Sequence, residues 1–336
     1  MNNKIIFRWS LLTLGLGVFL ILACFLALCT GSAGIKIVDI PGILLHGQGS
    51  IDYGIITGIR LPRILLGLAM GGALSLAGTL LQGMFKNPLV EPYTLGISGG
   101  ASLGVCCNIL FKFHERLGIM AYPISGFIGA GAVIFLVYTL NRDARHIRSN
   151  RMLLTGVMIS YVASSLVMLI MAVSKADDLQ NIVLWIMGSL DEPNRVLIRI
   201  ALVGSLAGLF FSYFFCLDLN ALLLGEEAAA NLGVDTPRTK KWVFIIASFL
   251  TGLSVSVAGI IMFVGLIVPH FMRMVAGPDH RILLIASYLG GAAFLVLCDV
   301  AARVIISPLE LPVGVITGII GGLVFITALS RKKVNL

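Results

Sequence analysis

Residues 242–272 read WVFIIASFLTGLSVSVAGIIMFVGLIVPHFM, a run of 31 positions without one Asp, Glu, Lys or Arg. A helix needs roughly 20 apolar residues to cross a hydrocarbon core about 30 Å thick, so this run is too long for one span. Gly265 and Pro269 oppose a continuous helix through its second half. The stretch therefore divides into one full span and one short one.

Eight further charge-free runs flank it, at 9–35, 64–85, 92–111, 117–141, 152–174, 200–217, 282–298 and 311–330. Hydrophobic residues make up 58% of the chain and charged ones 12%, against about 25% charged in a soluble domain. Most of the surface must face lipid, and the fold class is an all-α polytopic membrane protein of ten transmembrane helices. The start of the chain, Lys4 and Arg8 before an apolar run, imitates a signal peptide, and Ile21-Leu22-Ala23-Cys24 resembles a lipoprotein cleavage site. The run continues without charge to Ile35, too long for a signal segment and right for a first span.

Ten spans also satisfy the charge distribution. The net charge is +8, but the basic residues form short clusters between apolar runs rather than a continuous patch, which argues against nucleic acid. With a cytoplasmic N-terminus, Arg142, Arg145, Arg148 and Arg151 follow span four, Arg238, Lys240 and Lys241 follow span six, and Arg331, Lys332 and Lys333 follow span ten. Fifteen Lys/Arg then fall inside and nine outside, as the positive-inside rule requires; nine spans would put the C-terminal cluster outside. Residues 179–190, bounded by Asp177-Asp178 and Asp191-Glu192, are too short to span and belong to the outer surface, where Trp185 fits an interfacial ring. The six cysteines sit in or beside apolar runs without paired spacing and read as small hydrophobes.

A shift of 181 residues superimposes Gly71 on Gly252, Ser75 on Ser256, Ala77 on Ala258, Gly78 on Gly259, Pro88 on Pro269 and Gly96 on Gly277. The two segments run in opposite directions in the ten-span topology, which is the inverted repeat of transporters. Its halves cover about 60–175 and 241–330 of a single transmembrane domain over 1–336. Small residues recur at Gly67, Gly71 and Ser75, and at Gly314, Gly318 and Gly322, permitting close helix approach either within the subunit or along a dimer seam or pathway.

No acidic residue and no histidine falls in the middle of a charge-free run, although proton-coupled carriers usually need such groups and redox membrane enzymes need haem-ligating histidines or clustered cysteines. The chain has no G-x-x-x-x-G-K-[ST] phosphate loop, so it cannot hydrolyse ATP by the usual route itself and a partner must supply the energy. The candidate docking element is 219–234, LNALLLGEEAAANLGV, in which Gly225 separates two short helices and Glu226-Glu227 opens the second, where acids suit the positive helix end. An ordinary amphipathic loop helix is the alternative.

The chain resembles the iron-siderophore, haem and vitamin B12 permeases of binding-protein-dependent ABC importers. The likeness covers Arg60 to Lys332 and rests on Arg60-Leu61-Pro62-Arg63, Asn87-Pro88-Leu89 with Glu91-Pro92, Leu95-Gly96-Ile97-Ser98, Gly225-Glu226-Glu227-Ala228, Phe263-Val264-Gly265-Leu266-Ile267-Val268-Pro269-His270, Gly277-Pro278-Asp279-His280-Arg281 and Glu310-Leu311-Pro312-Val313-Gly314. It implies a type II ABC importer permease fold in the cell inner membrane. It further implies a second permease copy, two cytoplasmic ABC ATPase subunits, an extracytoplasmic substrate-binding protein and no cofactor. Arg60, Arg63 and Arg303 match the arginines that receive glutamates of the binding protein; snorkelling to headgroups is their alternative role. Asn87, Pro88 and Leu89, with Ser149 and Asn150, match the cytoplasmic gate, or else are turn residues. Leu224, Gly225, Glu226, Glu227 and Ala228 match the coupling helices that sit on the ATPase. His270 lacks partners for a metal site and reads as structural. An iron chelate is the expected cargo on family frequency, with cobalamin or a molybdate-type oxyanion as alternatives and an ion-driven carrier as a remote one.

Overall fold

Apolar runs become helices because in lipid every backbone N–H and C=O must find an internal partner. The computed structural model describes residues 3–31, 34–118, 120–141, 149–192 and 194–331, and the regular structure among them is helical. Arg142, Arg145, Arg148, Lys332 and Lys333, which carried part of the charge argument, lie outside the described residues.

Helices α1 (Asn3–Cys29), α2 (Leu61–Phe85), α3 (Ile97–Leu110), α4 (Ala121–Asn141) and α5 (Ser149–Val173) are followed by α6 (Ala176–Met187) and α7 (Arg195–Tyr213). Two short helices, α8 (Cys216–Leu223) and α9 (Glu226–Asn231), lead to α10 (Thr236–Ala258), α11 (Val264–Ala276), α12 (His280–Val304) and α13 (Val313–Arg331). Seven helices among the described residues are long and apolar enough to cross a membrane, and α3, α11 and the apolar part of α13 are shorter, which together give ten. A π-helical turn, Ile56–Arg60, prolongs α2 at its start.

The long run 242–272 breaks where neither Gly265 nor Pro269 lies. Its link, 259–263, is bracketed by positive φ at Gly259 (69°) and Phe263 (69°), while Pro269 sits inside α11. A proline within a helix deprives the carbonyl four residues earlier of its donor. Here that carbonyl belongs to Gly265, and Gln82 Nε2 donates to it at 3.2 Å and to the Leu266 carbonyl at 3.3 Å. The lost bond is replaced across helices, so the helix continues.

Directions follow from side-chain neighbours. Leu61 and Leu65 share a cavity with Arg195, Ile198 and Leu202, so α2 and α7 start at the same end. Gly204 faces Leu253 and Gly208 faces Leu250, so α7 and α10 are antiparallel, and α2 and α10 therefore run in opposite directions. A long, a short and a long helix recur as α2–α4 and α10–α12, each set followed by a last helix, α5 or α13, an inverted repeat. The single 181-residue register does not survive: it pairs Gly78, inside α2, with Gly259, the cap beyond α10, and Pro88, in a turn, with Pro269, in a helix. Small residues coincide in that register because each repeat has its own close crossings, not because the crossings are equivalent.

Those crossings lie within the subunit. A Cβ on Gly71 would stand 2.3 Å from the Gly291 carbonyl oxygen, and one on Gly291 as close to that of Gly71, so α2 and α12 meet backbone to backbone. Gly67 faces Val296 on the same helix. The stripe Gly67, Gly71, Ser75 is thus internal packing. In the second stripe Gly314 is pressed against the Met187 and Ile260 carbonyls, whereas Gly318 and Gly322 have only distant neighbours.

Candidate functional site

Three features at different depths carry the site. The first is a buried charge cluster at the end where α2 starts and α12 finishes. Arg63 donates through Nε and Nη2 to Asp299 Oδ1 (3.2 and 3.0 Å) and through Nη1 to Glu310. Arg303 Nε donates to Asp299 Oδ2 (3.0 Å), and its Nη1 and Nη2 donate to the Thr30 and Ala27 carbonyls. Arg60, turned inward by the π-helical turn, donates to the Leu28 carbonyl at 2.7 Å. The structure therefore brings Arg60, Arg63 and Arg303 together but buries all three, neither snorkelling nor presented to solvent. They tie the end of α1 to α2 and α12. Asp299, a residue that sequence reading passed over, is the shared counter-ion; its spacing of four from Arg303 on one helix was the available signal.

The second feature is a re-entrant crossing. Span three was expected over 92–111, but Pro92–Leu95 forms a 3-10 turn and the helix begins at Ile97. Leu95 lies against Gly156, and Gly96 against Val133 and Gly156, which by helical rise puts the start of α3 about 10 Å inside the bundle. Phe263, just before α11, lies against Gly321, about 12 Å in from the start of α13 by the same measure. Two half-helices thus begin within the bundle, and their leading segments meet. Tyr93 Oη accepts the Ile261 N–H (3.2 Å), Glu91 Oε1 accepts the Phe263 N–H (2.6 Å), and Pro92 touches Gly265. Glu91 lies in a loop, as expected, but the chain between α2 and α3 folds back into the bundle and brings it to the start of α11. A carboxylate at the start of α11 also suits that helix's positive end.

Asn87, Pro88 and Leu89 open this re-entrant segment. Lys86 closes α2 with positive φ, Asn87 Oδ1 accepts the Leu89 N–H at 2.9 Å, and Leu89 is exposed. Ser149 and Asn150 begin α5, but their side chains lie outside the described residues. The segment that Asn87 opens meets α5 where Leu95 lies against Gly156.

The third feature is the pair α8 and α9 at the opposite end. Gly225 joins them at φ 120°, a conformation that favours glycine, and Glu226 and Glu227 stand in the first turn of α9. Lys240 is 2% exposed and donates to Glu226 Oε1 at 2.5 Å, while Thr239 donates to Asp218 at 2.8 Å, fastening both short helices to α10. Asn220 fastens α8 to α12: its Nδ2 donates to Asp279 Oδ1 and its Oδ1 accepts the His280 N–H, both at 2.8 Å. The Arg281 guanidinium holds Asp279 down at about 2, so this cap is charged at any physiological pH. Leu224, Glu227 and Leu232 remain exposed and Ala228 half-buried. His270 rests edge-on against Phe325 with ring centroids 6.1 Å apart, and among the described residues no three metal-ligating side chains gather. Trp185, half-buried, packs beside Gly126 near the start of α4.

Gln82 fastens α2 to both ends of α11, because its Oε1 accepts from Arg273 Nη2 at 3.0 Å while its Nε2 serves the Gly265 carbonyl. Gln82→Leu is expected to cost about 1–3 kcal/mol, since it strands a buried carbonyl. The midpoint of thermal unfolding in detergent measures this; an unchanged midpoint would mean that water replaces the amide.

An inverted pair of four-helix units, with half-helices meeting inside the bundle and no nucleotide-binding loop in the chain, is the build of a membrane transporter permease. The model of the FecCD transport family matches residues 19–331. The hemin transport system permease protein HmuU of Yersinia pestis is 36% identical over 322 residues, 95% of this chain and 96% of that protein. The Fe(3+) dicitrate transport system permease protein FecD of Escherichia coli K12 is 40% identical over 285 residues, covering 85% and 88%. The vitamin B12 import system permease protein BtuC of Klebsiella pneumoniae is 35% identical over 331 residues, covering 97% and 94%. A solved structure of a metal-chelate type ABC transporter in an inward-facing conformation superimposes with a TM-score of 0.84 at 28% identity, over 96% of this chain and 100% of that one. The chain belongs to the FecCD transport family and is the permease subunit of an ABC importer.

Proposed function

We propose that this permease admits an iron chelate, a ferric siderophore or haem, to the cytoplasm by ATP-driven alternating access. Relatives named for hemin and for Fe(3+) dicitrate at 36% and 40% identity support the cargo, and cobalamin is the second candidate through the relative at 35%. The working unit comprises two permease copies, two cytoplasmic ATPase subunits and an extracytoplasmic binding protein. Residues 60–175 and 241–330 act as its inverted halves. The binding protein docks at the end bearing Arg60, Arg63 and Arg303, and the cytoplasmic gate is Asn87, Pro88 and Leu89 with Ser149 and Asn150. ATP hydrolysis belongs to the partner, which seats on Leu224, Gly225, Glu226, Glu227 and Ala228.

The observation that carries this reading is the α8–α9 pair, exposed on one side and bonded to α10 and α12 on the other. A push on it reaches two helices of the second repeat, α10 and α12, through fixed bonds. Basic residues agree with a cytoplasmic position, since Lys86, Arg238, Lys241, Arg273 and Arg281 stand at this end. The start of α1 is there too, as Arg8 donates to the Val275 carbonyl and Arg281 lies over Trp9 at 5.1 Å, which supports a cytoplasmic N-terminus.

Glu226 is a poor choice for a docking test because it also neutralises buried Lys240. Leu224→Glu with Glu227→Arg alters exposed side chains only. In lipid nanodiscs with the partner ATPase, this variant is expected to lose at least about tenfold of the binding-protein-stimulated ATP hydrolysis, the loss expected when an interface anchor worth about 1.4 kcal/mol is removed. Full stimulation in the variant would remove the coupling assignment.

A further inference from the structure

Arg63 offers both arms of its guanidinium to carboxylates, and the two acids it meets are of different kinds. Asp299 is 2% exposed, lies within α12, and is bound on its other oxygen by Arg303. Glu310 lies in the connection between α12 and α13, outside any helix, with its side chain 38% exposed. Asp299 cannot leave without stripping two buried guanidinium groups of their counter-ion. Glu310 can rotate into water and lose little, because its solvation replaces the ion pair. Within hydrogen-bond reach these two acids serve two guanidinium groups, Arg63 and Arg303, while Asp52 acts on Arg60 from farther away.

We propose that Glu310 is a displaceable internal counter-ion: a carboxylate of the docking binding protein takes its place on Arg63 Nη1, and Glu310 moves to solvent. The inference rests on the docking role given above to the arginine end. It removes the difficulty that burial poses for that role, since Arg63 becomes available only when its removable partner leaves. Exchange of one carboxylate for another keeps the guanidinium paired throughout, so the swap is reversible and costs little beyond the ordering of the incoming side chain.

The exchange also has a structural consequence. Two residues after Glu310, Pro312 leads into α13, and the Leu311 N–H donates to the Ala302 carbonyl at 3.0 Å. The first turn of α13 presses Gly314 against the carbonyls of Met187 and Ile260, the latter in the link between α10 and α11. Release of Glu310 therefore loosens the anchor of the segment that borders the re-entrant crossing, and docking is felt where the pathway must open.

The experiment measures affinity between the complete importer in nanodiscs and its cognate binding protein loaded with ferric chelate, by surface plasmon resonance at low and physiological salt. Glu310→Gln removes the competitor while keeping the shape, and affinity is expected to tighten about 5–20-fold, as it does when a fractionally populated competent state becomes the dominant one. Glu310→Asp, which keeps the charge but shortens the reach, tightens binding in the same direction. Arg63→Gln weakens binding at least about tenfold by loss of a charge-assisted contact. Should Arg63→Gln leave affinity unchanged, the docking role itself falls. If Arg63→Gln weakens binding while both Glu310 variants leave it unchanged or weaken it, docking stands and the displacement is refuted. Unfolding midpoints of the Glu310 variants within a degree or two of the parent keep the reading free of folding effects.

Discussion

Asp299→Asn is expected to destabilise the folded permease by about 3–5 kcal/mol, the cost of removing one partner from a buried ion pair. One carboxylate here answers two buried guanidinium groups, Arg63 at 3.0 Å and Arg303 at 3.0 Å. The amide that replaces it carries no charge and turns one of its two acceptor positions into a donor, which faces a donor. Arg63 keeps Glu310 but Arg303 is left with the Thr30 and Ala27 carbonyls. Because these carbonyls close α1, the variant should fray the packing of α1 on α12 first. The measurement is the thermal midpoint and the monodisperse fraction after extraction, set against Glu310→Gln. That second variant removes an acid from the same cluster, yet its half-exposed side chain puts it near the value of a surface pair, about 0–1 kcal/mol. Equal losses in the two variants would refute the ranking by burial. Asp299→Leu combined with Arg303→Met should recover part of the loss, since an apolar replacement of both partners leaves only Arg63 to Glu310 to satisfy.

How far such a cluster can be read from sequence depends on separation along the chain. Arg303 and Asp299 are four apart on one helix and could be paired on spacing alone, whereas Arg63 and Asp299 are 236 positions apart, and composition says nothing about that meeting. The spans themselves were legible because apolar length is a physical requirement of the bilayer, and the short helices α8 and α9 were legible because Gly225 and the acids after it mark a helix start. Glu91 was not. A charge in a loop reads as solvated, and only the fold tells that this loop returns into the bundle to cap α11. Pro269 misled for a related reason: its helix-breaking effect is local, and the remedy, an amide from Gln82, lies 183 positions away from the carbonyl it serves.

Glycines that look alike in the sequence differ in what surrounds them. Both Gly78 and Gly252 lie in long apolar helices and both belong to the repeat pattern. At Gly78 an added Cβ would stand 1.8 Å from the Gly265 carbonyl oxygen and 2.6 Å from its carbon. Neither atom belongs to a side chain, so no rotamer change relieves the clash, and α2 and α11 must part. Gly78→Ala is therefore expected at or beyond the upper end of the overpacking range, about 3 kcal/mol, with transport lost because the displaced element is the half-helix that Glu91 caps. At Gly252 the new Cβ would meet the Ala130 methyl at 3.6 Å, an ordinary contact. Gly252→Ala should then gain about 0.5–1 kcal/mol from the lower entropy of alanine in a helix, with uptake of chelate unchanged. Opposite signs of the two shifts in thermal midpoint would establish that the close approach of α2 to α11, rather than glycine as such, is what this fold requires. A tolerated Gly78→Ala would mean that the two helices can separate by an ångström or more without losing the bundle, and the crossing would then be a sliding contact instead of a fixed one.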